Sequence, residues 1–162
     1  MLLFLLHEMY HVAIMQAEYT ESVNENIRKV MADAFFTALV AFAFGLCLAG
    51  AMKRFDGPFL GSALLLGTFV ILGIFWTRRA VRRLLTAKYT TSETAKRSAR
   101  QLVAYCVAFV ASSATFGLEV MGVWRYSSDR YYSFSAVVFG IITCVWFFNV
   151  YRGARRLTSD LT

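Results

Sequence analysis

The sequence predicts an all-α integral membrane protein: four transmembrane helices in two tandem parallel helical-hairpin repeats, behind an N-terminal amphipathic, interfacial helix. Composition is the first reason. Of 162 residues, 58% are apolar and 16% aromatic, with one proline, which is more apolar than an ordinary soluble domain of this length. The second reason is that the excess gathers in four stretches, about 34–52, 59–77, 102–124 and 133–150. Each is close to the roughly 20 residues a helix needs to cross the hydrocarbon core. The third is an internal duplication. Ala17, Tyr19, Thr20 and Ser22 return as Ala87, Tyr89, Thr90 and Ser92. After a two-residue slip, Arg28, Phe44, Gly45, Gly50 and Lys53 reappear 72 residues on as Arg100, Phe116, Gly117, Gly122 and Arg125. One more inserted residue carries Asp56, Ser62, Gly67, Arg79 and Arg83 onto Asp129, Ser135, Gly140, Arg152 and Arg156. A long period with small slips marks a repeated supersecondary unit.

Residues 1–16 precede the duplication. From Met1 to Met15 the run is apolar nearly all round, broken by His7, Glu8 and His11, and it is too short to cross a bilayer comfortably. Such a helix is expected to lie in the interface, re-enter, or bury itself on a partner. Met1 to Leu6 has no basic flank and does not read as a cleavable signal. Repeat 1 (17–86) opens with a polar helical stretch from Glu18 to Lys29, where Thr20 and Ser22 are candidate caps and Ser22 to Glu25 has capping-box spacing. Repeat 2 (87–162) opens with the counterpart, Thr90 to Arg100. Short loops at Asp56-Gly57-Pro58 and Ser127-Ser128-Asp129 make each repeat an antiparallel hairpin. An even number of spans per repeat gives both the same topology, so the repeats are expected to share a pseudo-twofold axis along the membrane normal.

Positive charge sets the expected orientation. Thirteen of the 17 Lys and Arg residues flank the termini and the middle loop, against four (Lys53, Arg54, Arg125, Arg130) beside the hairpin loops. Cytoplasmic segments next to spans accumulate such charge, which puts both termini in the cytoplasm, most simply of a bacterial inner membrane. Trp124, Tyr126, Tyr131 and Tyr132 then mark the outer interface, and Trp76 and Tyr151 the inner one. Cys47, Cys106 and Cys144 all fall within spans and read as small packing residues, without a disulfide or metal spacing.

Four groups of residues are candidates for function. Glu119 is the one ionisable carboxylate or base inside the four stretches, about 7 Å below Trp124 by helical rise. A carboxylate at that depth needs water, a donor or a cation, and Arg125 is the local candidate. Its repeat counterpart is Cys47. The clusters Arg78, Arg79, Arg82, Arg83 and Arg152, Arg155, Arg156 follow an i, i+3, i+4 rhythm and suit anionic lipid headgroups. Without interleaved aromatic or glycine recognition patterns they do not suggest nucleic acid. Gly45, Gly67, Gly117 and Gly140 lie in small-x3-small ridges (Ala41-x3-Gly45, Ala63-x3-Gly67, Ser113-x3-Gly117, Ala136-x3-Gly140) that let helices approach closely in lipid. Finally, His7-Glu8-Met9-Tyr10-His11 matches H-E-x-x-H, two histidines one turn apart for zinc with a glutamate to activate water. No other histidine is present in the chain to complete the set, and the plainer reading is polar residues at headgroup depth.

These features point to a non-enzymatic membrane subunit without cofactors, acting in a homo-oligomer or larger complex as a channel-like component or an anchor. The alternatives are a zinc-dependent intramembrane hydrolase using His7, Glu8 and His11, and a small ion- or proton-coupled transporter centred on Glu119.

Overall fold

A computed structural model describes the backbone of residues 2–54, 57–86, 93–125 and 130–161, and the side chains of 21–51, 61–83, 93–124 and 131–161. Those segments are four helices: α1 (Leu2–Arg54), α2 (Gly57–Thr86), α3 (Glu93–Arg125) and α4 (Arg130–Leu161). Each contains a stretch long and apolar enough to cross a membrane, and the chain is an all-helical membrane protein of the helix-bundle class.

The N-terminal segment differs from expectation. Residues 2–16 are not a separate helix but the first turns of α1, which runs 53 residues without a break. The physical reason lies in the sequence: no glycine precedes Gly45 and the single proline is Pro58, so nothing interrupts the hydrogen-bond ladder. For the same reason Thr20 and Ser22 cap nothing. They lie inside α1, where the Asn26 side chain donates to the Ser22 carbonyl (2.9 Å). Pro58 sits in the first turn of α2, where its missing N–H costs nothing. Glu93 opens α3 beside the positive end of the helix dipole and pairs with Lys96 at 2.9 Å on the surface.

α1 and α3 form the centre of the bundle. In their apolar windows 39% of residues are buried, against 11% in α2 and 6% in α4. Nine of the ten buried positions described in α1 (Val23, Ile27, Val30, Ala34, Thr37, Ala38, Ala41, Gly45 and Gly50, but not Ala51) have a buried counterpart 72 residues later in α3. Both faces follow 3.6-residue periodicity. The two helices run parallel and touch towards their C-terminal ends, Gly45 lying against Ala114 and Leu118, and Gly117 against Phe42 and Leu46. α2 packs antiparallel on α1 and α4 on α3, with Gly67 against the Phe44 ring and Gly140 against the Phe116 ring.

The core continues past the expected spans. Val23, Ile27, Ala95, Ala99, Ala154, Leu157 and Leu161 are buried in one cluster with residues of the apolar stretches. The stripes Val23, Ile27, Val30, Ala34 and Val150, Ala154, Leu157, Leu161 have the spacing of a coiled-coil seam. Several hydroxyls within the bundle donate to carbonyls of their own helices: Thr37 to Asp33 (2.7 Å), Thr77 to Gly73 (2.9 Å) and Thr143 to Phe139 (2.8 Å). Among the described residues no buried side-chain polar atom lacks a partner, as the absence of water in a bilayer core demands.

Candidate functional site

Glu119 projects from α3 towards α4, where the Ser135 hydroxyl donates to its carboxylate. Ser135 also lies within hydrogen-bonding reach of the Tyr132 carbonyl (3.2 Å), so its rotamer is fixed by local geometry. Half-buried Glu119 therefore has a donor on the neighbouring helix of its own hairpin. An intramolecular hydrogen bond contributes about 0.5–1.5 kcal/mol net, and this one clamps α3 to α4. The expected partner Arg125 lies outside the residues whose side chains are described. The residue 72 positions earlier, Cys47, is half-buried. A second interhelical polar bond joins the same two helices at their opposite end, from the Ser98 hydroxyl to Asp160.

Arg78, Arg79, Arg82 and Arg83 on α2, and Arg152, Arg155 and Arg156 on α4, are all exposed. On the same turns Thr77, Val81, Val150, Ala154 and Leu157 face inward. The basic residues thus form an outer collar around a packed helical stalk, positioned by the apolar stripe behind them.

The four glycines divide into two kinds. A Cβ at Gly45 would lie 2.0 Å from the Ala114 carbonyl oxygen, and one at Gly117 2.2 Å from that of Phe42. These are backbone-to-backbone contacts that only glycine permits. At Gly67 and Gly140 the nearest atoms are ring carbons of Phe44 and Phe116, at 3.2 and 3.3 Å, an approach to side chains instead. The side chains of His7, Glu8 and His11 lie outside the described residues. Among the described residues no group of three His, Cys, Asp or Glu side chains converges in a way that would hold a metal.

Sequence reasoning missed two features. One is the buried stripe through the polar stretches at 18–29 and 93–100, whose signal was the i, i+4, i+7 spacing of Val23, Ile27 and Val30 within charged surroundings. The other is an apolar cleft of about 400 Å³ among α1, α3 and α4, lined by Phe35, Phe42, Phe109, Phe116 and Phe147 with Thr143. No sequence pattern brings together aromatics from three helices.

No family model matches this sequence, and neither a curated protein nor a solved structure matches it.

Proposed function

We propose that this chain is a non-enzymatic membrane subunit that works as an anchor or scaffold in an oligomer or larger complex. In this reading it consists of two hairpin repeats related by a pseudo-twofold axis along the membrane normal, with both termini cytoplasmic. The repeat reading is supported by contacts that recur at the repeat offset: Gly45 with Ala114 against Gly117 with Phe42, and Gly67 with Phe44 against Gly140 with Phe116.

The observation that carries the anchor reading is the closed centre of the bundle. α1 and α3 meet backbone to backbone at Gly45 and Gly117, and Ala41, Ser113 and Val110 are buried beside that contact. A water-filled path through one copy has no room there, so a pore would have to form between copies. Glu119, the intramembrane carboxylate, accepts a hydrogen bond from Ser135 on the neighbouring helix, which suits a packing role. Outside, α2 and α4 present broad apolar surfaces, including Leu64, Leu65, Ile71, Phe134 and Val137, suited to lipid or to other transmembrane helices. The basic collars suit the anionic cytoplasmic leaflet, at about 1 kcal/mol per residue near the surface.

Light scattering in mild detergent, together with cross-linking in native membranes, tests the assembly reading. The expected protein mass exceeds that of one 18.3 kDa chain. A monomer in both measurements overturns it. Reconstituted alone in liposomes, the chain is expected to pass no ions. Steady ion flux would favour the channel or transporter alternatives.

A further inference from the structure

We propose that the cleft between α1 and α2 at the basic end of the bundle binds one phospholipid whose headgroup carries a primary amine, such as phosphatidylethanolamine. The proposal rests on the membrane reading above and adds a specific ligand site to it.

Two cavities lie in that cleft. The inner one, about 310 Å³, is lined by Phe36, Val40, Phe69, Leu72 and Gly73. The outer one, about 300 Å³, is lined by Asn26, Lys29, Arg79 and Arg83. Asp33 and Trp76 line both. These two residues stand at the edges of the apolar stretches 34–52 and 59–77, where the hydrocarbon is expected to give way to headgroups. The apolar compartment therefore lies at acyl-chain depth and the polar one at headgroup depth, with a tryptophan at the junction, its preferred level in a bilayer.

The charges select the headgroup. Lys29 is paired with Glu25 at 2.8 Å, and Arg79 and Arg83 line the same cavity with guanidinium groups, which bind phosphate in bidentate fashion. The Arg79 guanidinium sits 6.0 Å from the Trp76 ring centroid, held at the mouth by a cation–π contact. Asp33 is the discriminating residue. Its backbone carbonyl accepts from Thr37, while its carboxylate has no hydrogen-bond or ion-pair partner among the described residues. A carboxylate beside a phosphate site repels a purely anionic lipid. It complements a headgroup in which an ammonium lies a few bonds from the phosphate. A quaternary choline has no N–H to donate to it.

The second hairpin provides an internal contrast. Arg79 and Arg83 have counterparts in Arg152 and Arg156, but Lys29, Asp33 and Trp76 are replaced by Gln101, Tyr105 and Asn149. The Tyr105 ring packs against Gly153 and lies 6.1 Å from the Trp146 ring, filling that space. The residues that give the cleft its carboxylate and its tryptophan thus occur in the first hairpin and not at the matching positions of the second, whereas general headgroup attraction would be served by the arginines of both.

Native mass spectrometry of the whole chain tests the site. The protein is released from mild detergent containing equal amounts of phosphatidylethanolamine, phosphatidylglycerol and phosphatidylcholine with identical acyl chains. The expected result is one retained phosphatidylethanolamine per chain, favoured over either competitor by about tenfold, the scale of one charge-assisted hydrogen bond. Asp33→Asn is expected to erase the preference over phosphatidylglycerol while a lipid is still retained. Arg79→Gln with Arg83→Gln is expected to remove the adduct, and Leu72→Trp, a lipid-exposed position, to obstruct the acyl compartment and reduce all adducts. Unchanged helicity by circular dichroism shows that each variant is folded. Equal retention of the three lipids, no adduct, or an unchanged preference in Asp33→Asn overturns the proposal. Displacement by soluble glycerophosphoethanolamine at lipid-equivalent concentration also overturns it, because the apolar compartment would then contribute nothing. Alkaline extraction of membranes separates the two readings. A chain that washes off sinks the membrane assignment, whereas an integrated chain without an adduct sinks only the lipid site.

Discussion

Gly45 and Gly117 approach each other's helices reciprocally: each would push a Cβ into the carbonyl three residues before the other, that of Ala114 for Gly45 and that of Phe42 for Gly117. With little hydrophobic drive between helices in lipid, such close approach is what gives two helices enough dispersion contact to associate.

Glycine substitutions are therefore expected to fall in a definite order. Gly45→Ala and Gly117→Ala each force two backbones apart and should cost about 1–3 kcal/mol, the usual range for overpacking. Gly67→Ala and Gly140→Ala meet aromatic rings that can shift by a few tenths of an ångström, and should cost less. Gly61→Ala, with nothing within 4 Å of its Cβ, should be silent or slightly stabilising in its helix. Thermal unfolding in detergent measures the series. Equal effects at all five positions would contradict the backbone contact.

At the Glu119 and Ser135 clamp, Glu119→Gln keeps an acceptor for the Ser135 hydroxyl and should barely alter assembly. Glu119→Leu and Ser135→Ala should each weaken α3–α4 packing by about 1–3 kcal/mol, and the double variant should cost little more than either single one. A loss of conductance or transport in Glu119→Gln with intact assembly would instead favour the ion- or proton-handling alternative.

Leu157→Ala and Ile27→Ala test the stalk beyond the spans. Both side chains are buried, Leu157 completely, and if this end of the bundle stands in water, as the membrane reading expects, the hydrophobic effect operates there in full. Each should destabilise by about 2–5 kcal/mol, read as lower protection of the α1 and α4 ends in hydrogen exchange. Wild-type protection in both variants would mean that the stalk does not pack.

The proposed topology rests on the charge asymmetry of the sequence. In a cysteine-free background, a cysteine replacing Ser128 should label from outside and one replacing Thr91 only after permeabilisation. The reverse pattern would invert the chain and move Glu119 to the cytoplasmic half.

Zinc analysis addresses the hydrolase alternative. The purified chain is expected to fold without metal, and Glu8→Gln to be without effect. Near-stoichiometric zinc with a Glu8-dependent hydrolytic activity would overturn the anchor reading.

The helices and their membrane character were legible in the sequence because both depend on local quantities: run length, apolar content, and the positions of Gly57, Pro58 and the charges. Nine buried positions of α1 have buried counterparts 72 residues later in α3, the offset at which the sequence repeats. Sequence reasoning read a boundary near residue 16 that the backbone lacks, because a change in polarity does not break a helix; only a glycine, a proline or a competing cap does. Tertiary structure alone decided which of the small-residue ridges bring backbones together. Gly45 and Gly67 stand in similar ridges, yet one meets a carbonyl and the other a ring, according to the helix that lies opposite. It also decided that Ser135 faces Glu119 and that Asp33 stands between an apolar and a basic cavity. Those relations join residues on different helices, and they depend on the rotation and depth at which the helices pack, which local pattern leaves free.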